Sequence, residues 1–360
     1  MKVQRIEVKG KSYPLYILLD SQYKMVIPVM EFIKYLDNTG KAPNTIKTYC
    51  YHLKLFYEFI ERKNIKLNQV RLEGLVEFIG WLRNPLENQS VFNFQPLESI
   101  REETTINAIL NAVLSFFEYL ARSEQYEGIN VFKEARGRGF KGFLHHISKN
   151  KKGKKNILKL RVKKKRIKTL TEPEVKNIIG ACNCLRDKLI MMLMYEGGLR
   201  IGEVLNLQIE DIITWDNQVK ITPREISLNE SYIKSKRERI IHVSKELMKL
   251  YTDYLIYEYP EELEHAYVFI NFKKSYFGKP MKYQSVLDLI RRLSKKTGIK
   301  FNAHMFRHTH ATELVRNGWD VSYVQKRLGH AAVQTTLRTY VHLSDDDMKQ
   351  EYQKYLKRRK

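Results

Sequence analysis

Apolar residues recur at intervals of three and four through much of this chain, the spacing that lines one face of an α-helix. The pattern predicts four helices near the N-terminus, at about 24–37, after Pro43, at 73–83 and from Thr104. The two longest carry apolar stripes: Ile46, Tyr49, Leu53, Phe56 and Ile60 in one, and Ile106, Ile109, Val113, Phe116, Phe117 and Leu120 in the other. We interpret the aromatic residues in these stripes as core rather than as surfaces that stack on bases.

Apolar and polar residues alternate in two other places, which is the period of a β-strand. Residues 3–8 and 13–19 alternate around Gly10 and predict a short N-terminal hairpin. Farther along, D-I-I-T-W and Q-V-K-I-T flank Asp216-Asn217 and predict a second hairpin, and the segment that ends R-I-I-H-V adds a strand. The chain is therefore predicted to be mainly helical, with little sheet.

The helical pattern returns in the second half. Thr171-x-x-Glu174 is a capping-box pattern that opens one helix, and apolar residues predict another from Leu185 to Tyr195. Arg200 begins the next, and helices are predicted over most of the chain from about 247 onward. In the stretch from 304 to 340, Gly318 separates two short helices and Gly329 ends the second.

The charge of the chain indicates a type of partner, and its distribution indicates a domain boundary. The net charge is +24 and the isoelectric point is near 9.7, which indicates a polyanion partner such as nucleic acid, although a basic soluble surface is an alternative. Between Lys149 and Lys168, twelve of twenty residues are Lys or Arg and none is acidic. Such a run predicts a linker, at 136–170, because it buries too little apolar surface to fold alone. The flanking domains are predicted at 24–135 and 171–360, after an N-terminal hairpin at 1–23.

Composition also indicates the compartment. No apolar run approaches the roughly 20 residues needed to span a bilayer, and the first residues lack an apolar signal segment, so we expect a cytoplasmic protein without a membrane partner. Cys50, Cys182 and Cys184 are an odd set without paired metal-ligand spacing, which favours buried thiols. Cys182 and Cys184 are predicted to lie inside a helix.

The chemistry-bearing residues cluster in two stretches of the sequence. His304 and Arg307 are three apart and share a helix face, His330 follows Gly329, and Tyr340 lies ten residues later. Guanidinium groups can fork onto phosphate oxygens, whereas a phenol with a pKa of about 10 is only about 0.1% ionised at neutral pH and needs help to attack. Alternatives remain for single residues: an arginine such as Arg200 can be held in a buried ion pair with Glu203, and a tyrosine can simply pack.

A metal site is the other alternative for these histidines. His304 and His308 are four apart, as zinc ligands on a helix are. The glutamate expected beside the first histidine is replaced by Met305, and no Asp/Glu cluster indicates a two-metal nuclease. We therefore predict no metal.

Taken together, His304-x-x-Arg307, Leu-Gly-His330 and Tyr340, with G-G-L-R-I-G-E-V-L-N-L around Arg200 and Glu203, resemble the signature of the tyrosine recombinase (phage integrase) family. The resemblance runs from about residue 25 to 355 and is closest to transposon-encoded members. It implies a mainly α, multidomain fold, with a helical core-binding domain and an α+β catalytic domain that has a small antiparallel sheet and a C-terminal tail helix. Enzymes with this fold break and rejoin DNA.

The resemblance also assigns roles. Tyr340 is the implied nucleophile, Arg200 and Arg307 stabilise the transition state, His304 transfers a proton and His330 bonds the phosphate. Lys234 is the implied general acid, but the family usually has proline where this chain has His242, so Lys236 is the alternative. Glu203 is expected to orient the basic groups, and His308 and His310 are expected to support the site without touching phosphate.

The implied partner is double-stranded DNA, in a tetramer on two duplexes joined through the C-terminal tail, with no metal, ATP or other cofactor. Packing of the tail against its own domain is the alternative. Recombinases encoded by the same element are further candidate partners. The expected DNA-contacting residues are Lys47, Lys54, Lys163, Lys164, Lys165 and Arg166, and the alternatives are a solvated helix face and a solvated linker with no binding role. Two alternatives stay open: a catalytically silent DNA-binding accessory protein of the same fold, and a monomeric topoisomerase.

Overall fold

The structure is a computed structural model that describes residues 1–8, 11, 13–85, 99–123, 132–134, 154–162, 168–224, 238–329 and 352. The chain divides into two compact units, Met1–Lys164 and Lys165–Lys360. Each unit is built around its own hydrophobic core. The catalytic candidates Lys234, Lys236, His330 and Tyr340 lie outside the described residues, as do the predicted DNA contacts Lys163, Lys164, Lys165 and Arg166.

The first unit contains the four predicted helices. They are α1 (Ile27–Asn38), α2 (Pro43–Arg62), α3 (Leu72–Arg83) and α4 (Glu103–Arg122). Phe56 packs edge-on against Phe78 and Phe117, with ring centroids 5.3 and 5.5 Å away, and its side chain is fully buried. The stripe aromatics Phe56, Phe116 and Phe117 are therefore core, as predicted. Within the described ranges, α4 is the one helix long and apolar enough to cross a membrane, but its apolar stripe lies in this core.

The predicted N-terminal hairpin is also present. Strand β1 (Lys2–Ile6) pairs antiparallel with β2 (Leu15–Leu19), with Arg5 opposite Tyr16. Leu18 is buried in the core of the first unit, so the hairpin is packed on the helices.

Part of the predicted linker belongs to the first unit. Strand β3 (Phe132–Glu134) pairs antiparallel with β4 (Lys154–Asn156), and Leu158 just after it is buried in the core. The Asn107 side chain accepts a hydrogen bond from the Leu160 amide at 2.9 Å and donates one to the Leu160 carbonyl at 3.0 Å. Residues 154–162 thus differ from the expected free linker, because Leu158 and Leu160 pack on the core of the first unit. In the sequence, the many basic residues around these two leucines hide their apolar contribution.

The second unit holds seven further helices in its described part. They are α5 (Glu172–Gly180), α6 (Leu185–Tyr195), α7 (Ile201–Leu205), α8 (Lys245–Tyr257), α9 (Tyr283–Thr297), α10 (Ala303–Arg316) and α11 (Val321–Leu328). A three-stranded antiparallel sheet has the order β5 (Ile212–Ile213), β6 (Gln218–Ile221) and β7 (Arg239–His242). The predicted fold class, mainly α with a small antiparallel sheet in the second unit, is confirmed.

Three local predictions have mixed outcomes. The capping box exists: the Thr171 amide donates to Glu174 at 2.7 Å. The prediction that helices cover most of the chain from about 247 onward is confirmed for the described residues, with the exception of 258–282, which has no α-helix and forms bridges such as Ile270 with Pro280. Cys182 and Cys184 lie between α5 and α6 rather than inside a helix, and burial raises the pKa of the Cys182 thiol to about 12.

Candidate active site: an arginine cluster around Glu203

The turn between α6 and α7 places the first arginine. Gly198 has a φ of +61°, and a Cβ atom there would lie 2.7 Å from His310, so both the backbone conformation and the space demand glycine. Arg200 then caps α7: its amide donates to Glu203 at 2.9 Å and its guanidinium to the same carboxylate at 2.8 Å. The ion pair considered from the sequence is thus real, and it fixes the direction of the Arg200 side chain.

The second arginine comes from α10. The Arg307 side chain is only 3% exposed, donates to the Gly198 carbonyl at 2.7 Å, and lies 3.7 Å from the Glu203 carboxylate. It also donates to the Leu328 carbonyl at the end of α11, which accepts a longer 3.4 Å hydrogen bond from Arg200. Two arginines that are 107 positions apart in sequence therefore meet at one carboxylate and one carbonyl.

A third arginine, which sequence reasoning missed, completes the cluster. Arg239 at the start of β7 forks onto Glu203, with N–O distances of 3.1 and 2.9 Å. Its Nε donates to the Arg327 carbonyl at 2.9 Å, and a Cβ atom on Gly329 would lie 2.7 Å from its guanidinium. The side chain is 8% exposed. Arg239 thus links the sheet, the central carboxylate and the turn that precedes His330.

The electrostatics of this cluster favour an anion. Glu203 is 1% exposed, and although burial by itself raises the pKa of its carboxyl, Arg239 and then Arg307 and Arg200 outweigh that effect and hold the pKa below its usual range. The carboxylate is therefore charged at neutral pH. Three guanidinium charges around one carboxylate charge leave an excess of two positive charges, and a phosphodiester is an anion that guanidinium groups bind well.

The histidines of α10 differ in environment. His304 is exposed one turn before Arg307, and its ring centroid lies 6.2 Å from that of His308. Burial, then the nearby His304 and Arg307, lower the pKa of His308 to about 4. Burial, then Arg327 and Arg307, lower the pKa of His310 to about 3. Both His308 and His310 are therefore neutral at physiological pH.

His310 has a clear structural partner. Its Nε2 accepts a hydrogen bond from Arg327 at 3.0 Å, and Arg327 also donates to the carbonyls of Glu196 and His242. These bonds tie α11 to the end of α6 and to β7. In the described part of the chain, no three His, Cys, Asp or Glu side chains come together as a metal site.

The predicted DNA contacts that are described lie on α2. The Lys47 ammonium is 5.3 Å from the centre of the Tyr16 ring, and Lys54 is 3.3 Å from Glu58. Both lysines lie on the helix side away from its buried stripe.

The Glu203 carboxylate thus brings together guanidinium groups from three segments, in a helical unit with a small antiparallel sheet, and the excess positive charge suits an anion such as a phosphate. Models of the phage integrase family and of the phage integrase N-terminal SAM-like domain match residues 168–347 and 29–124. The chain belongs to the phage integrase, or tyrosine recombinase, family and is an enzyme that breaks and rejoins DNA.

Individual relatives agree with this assignment. The chain is 66% identical over 359 residues to transposase A from transposon Tn554 of Staphylococcus aureus, covering 100% of this chain and 99% of that protein. It is 27% identical over 311 residues to the tyrosine recombinase XerA of Pyrococcus horikoshii, covering 85% and 86% of the two chains.

Solved structures share the fold. The Tn1549 transposon integrase in complex with transposon right-end DNA has a TM-score of 0.63 at 14% identity, covering 91% of this chain and 99% of that one. The XerH recombinase bound to a palindromic difH substrate has a TM-score of 0.61 at 19% identity, covering 90% and 83%.

Proposed function

We propose that this chain is the transposase of a mobile element and that it cuts and rejoins DNA through a covalent link to Tyr340. The observation that carries the proposal is the pair Arg200 and Arg307, held side by side by Glu203 with an excess of positive charge. The 66% identity with a transposon-encoded transposase over the whole chain supports the biological setting.

In the proposed reaction, the Tyr340 oxygen attacks a backbone phosphorus while the bond from phosphorus to the 5′-oxygen breaks. The products are a 3′-phosphotyrosine and a free 5′-hydroxyl. Negative charge grows on the non-bridging oxygens, where Arg200 and Arg307 bind and stabilise it. A 5′-hydroxyl from the partner duplex then reverses the step, so the bond energy is kept and no ATP is needed.

Two protons move in this step. His304, exposed on the same helix as Arg307, takes the proton of the Tyr340 phenol. Lys234 gives a proton to the departing 5′-oxygen, with Lys236 as the alternative donor. His330 donates a hydrogen bond to the phosphate. Because arginine charge stabilises the transition state, the proposed chemistry requires no metal ion.

The same proposal covers assembly. Lys47, Lys54 and the basic segment Lys163–Arg166 contact the duplex backbone, and four copies act on two duplexes through their C-terminal tails. Complexes of the Tn1549 integrase and of XerH with DNA, which share this fold, support the DNA contact.

A suicide duplex, whose nick lets the 5′-hydroxyl fragment escape, tests the chemistry in EDTA. We expect a covalent protein–DNA adduct with the wild type and with Tyr323→Phe, a control at an exposed tyrosine on α11, but not with Tyr340→Phe. Tight binding without any adduct would favour the accessory-protein alternative. An adduct without pairing of two duplexes would favour the topoisomerase.

A modified leaving group separates the two lysines. If the 5′-oxygen is replaced by sulfur, the fragment departs as a thiolate, which needs no proton because a thiol has a pKa of about 8.5. We expect this substrate to restore adduct formation in Lys234→Ala, while Lys236→Ala stays near the wild type on both substrates. Restoration in Lys236→Ala alone would assign the general acid to Lys236.

A further inference from the structure

The N-terminal hairpin turns one face toward helix α2. In its register Val3 lies opposite Leu18 and Arg5 opposite Tyr16, and residues two apart on a strand share a face. Leu18 belongs to the core of the first unit, and Val3 and Tyr16 pack against it, so Arg5 lies on this same face at the edge of the core. Lys2, an odd number of positions from Arg5, lies on the opposite face.

Tyr16 joins the hairpin to the exposed side of α2. Its ring centre is 5.3 Å from the Lys47 ammonium and 6.5 Å from the ring centre of Tyr51. Lys47 and Tyr51 are one helical turn apart, and Tyr51 is 46% exposed. We call Arg5, Tyr16, Lys47 and Tyr51 the hairpin patch.

The connection between β1 and β2 contacts α1. The Tyr13 hydroxyl donates to Asp37 at 2.7 Å, and Lys11 forms an ion pair with the same carboxylate. The patch is therefore built on two anchored strands rather than on a loose terminus.

The charge of the patch suits a phosphate backbone. The first 24 residues contain five Lys or Arg and two Asp or Glu. The Arg5 guanidinium lies 3.5 Å from Glu7, whose side chain is 84% exposed. An exposed pair of this kind contributes little stability, so a phosphate can replace the carboxylate.

We propose that the hairpin extends the DNA-binding surface of α2, with Arg5 and Lys47 contacting neighbouring phosphates of duplex DNA and Tyr16 holding the Lys47 ammonium in place. This inference rests on the proposed contact between α2 and DNA. Contacts to phosphates position a protein on the duplex without reading its sequence, so the patch acts on every sequence alike.

The salt dependence of binding tests the patch. The logarithm of the affinity falls with the logarithm of the salt concentration, and each phosphate contact that is lost makes this fall less steep by about 0.9. For full-length protein and a random-sequence duplex, we expect the magnitude of the slope to decrease by about 0.9 in Arg5→Gln and by about 1.8 in the double variant with Lys47→Gln. Lys2→Gln removes the same charge from the other face of β1 and is expected to keep the wild-type slope. Thermal unfolding of each variant checks that the fold is intact.

Two results would overturn the proposal. One is a wild-type slope in Arg5→Gln, which would show that the hairpin makes no phosphate contact. The other is an equal decrease in Lys2→Gln, which would show general electrostatic attraction rather than a defined face. Adduct formation by Tyr340 is measured in a separate assay. If the wild type forms no adduct but Arg5→Gln still shows a less steep salt dependence, the proposed chemistry is refuted and the proposal for the hairpin patch stands.

Discussion

Replacing Arg239 with glutamine tests whether the third arginine positions the other two. The variant loses two hydrogen bonds to the buried Glu203 carboxylate and one to the Arg327 carbonyl. Glu203 would then be held only by Arg200 and Arg307, and the turn before His330 would lose a bond to the sheet. We expect DNA binding to be kept and the rate of adduct formation to fall.

The size of both effects follows from the geometry. Removing one partner of a buried ion pair costs about 3–5 kcal/mol, and two remaining arginines favour the lower end. At about 2–4 °C per kcal/mol for a unit of this size, the melting temperature should fall by roughly 6–12 °C. Loss of one donor that contacts a transition state lowers rates about 10²–10³-fold, and Arg239 acts through Glu203, so we expect roughly a tenfold loss or more.

Arg186→Gln is the matched control. Arg186 is 11% exposed, makes two hydrogen bonds to one oxygen of Asp187 and donates to the Ile270 carbonyl, so it has as many bonds to a carboxylate and to a carbonyl as Arg239 has. Both variants should lose comparable stability. At a temperature where both are folded and with saturating suicide duplex, only Arg239→Gln should form adduct slowly.

Equal adduct rates in the two variants would refute a positioning role and leave Arg239 as a structural ion pair. Arg239→Lys refines the test, because lysine keeps the charge but cannot form the two-pronged contact. We expect Arg239→Lys to recover less than half of the loss that Arg239→Gln shows in the logarithm of the rate of adduct formation. Full recovery would show that charge alone matters.

Two further predictions concern the surroundings of the cluster. Because His310 has a folded pKa of about 3, the unfolded chain takes up its proton first, so His310 alone should lower the unfolding free energy by about 2 kcal/mol between neutral pH and about pH 5. Urea unfolding should show a flatter pH profile for His310→Gln; an unchanged profile would contradict the assignment. Gly329→Ala should cost about 1–2 kcal/mol for its φ of +63° and also displace Arg239, slowing adduct formation. Gly318→Ala, with a φ of +82° and open space, should lose similar stability at wild-type rate, and equal rates in both would refute the contact.

The parts of the fold that the sequence predicted well are those set by local periodicity. Helix α6 was predicted with its observed bounds, because apolar residues and the Gly197-Gly198 stop are adjacent in sequence. The non-helical segment 258–282 has no such local signal, because its backbone is held by distant partners: the Ile209 amide donates to the Ala266 carbonyl and the Val268 amide to the Leu207 carbonyl. Backbone hydrogen bonds of this kind produce no periodic pattern of apolar residues in the sequence.

The candidate site shows the same division. Arg200, Glu203 and Arg307 were found from motifs, whereas Arg239 was missed because an arginine in R-E-R resembles a solvated charge among 64 basic residues. Its partner Glu203 lies 36 positions earlier. The available signal was strand alternation: Arg239 and Ile241 share the more buried face of β7, so a charge there needs a buried partner.

Glu203 explains how three arginines that lie far apart in the sequence form one cluster. Each arginine is first fixed locally, Arg200 by the cap of α7, Arg239 by the start of β7 and Arg307 by the buried face of α10. The carboxylate then sets their mutual distances, because it lies in hydrogen-bond contact with Arg200 and Arg239 and 3.7 Å from Arg307. The carbonyls of Arg327 and Leu328 accept from the same three guanidinium groups, so the backbone that leads directly to His330 is held by the three arginines of the cluster. We therefore expect a change that moves one of these arginines to move the other two, so that stability and the proposed catalysis are coupled at this single buried charge.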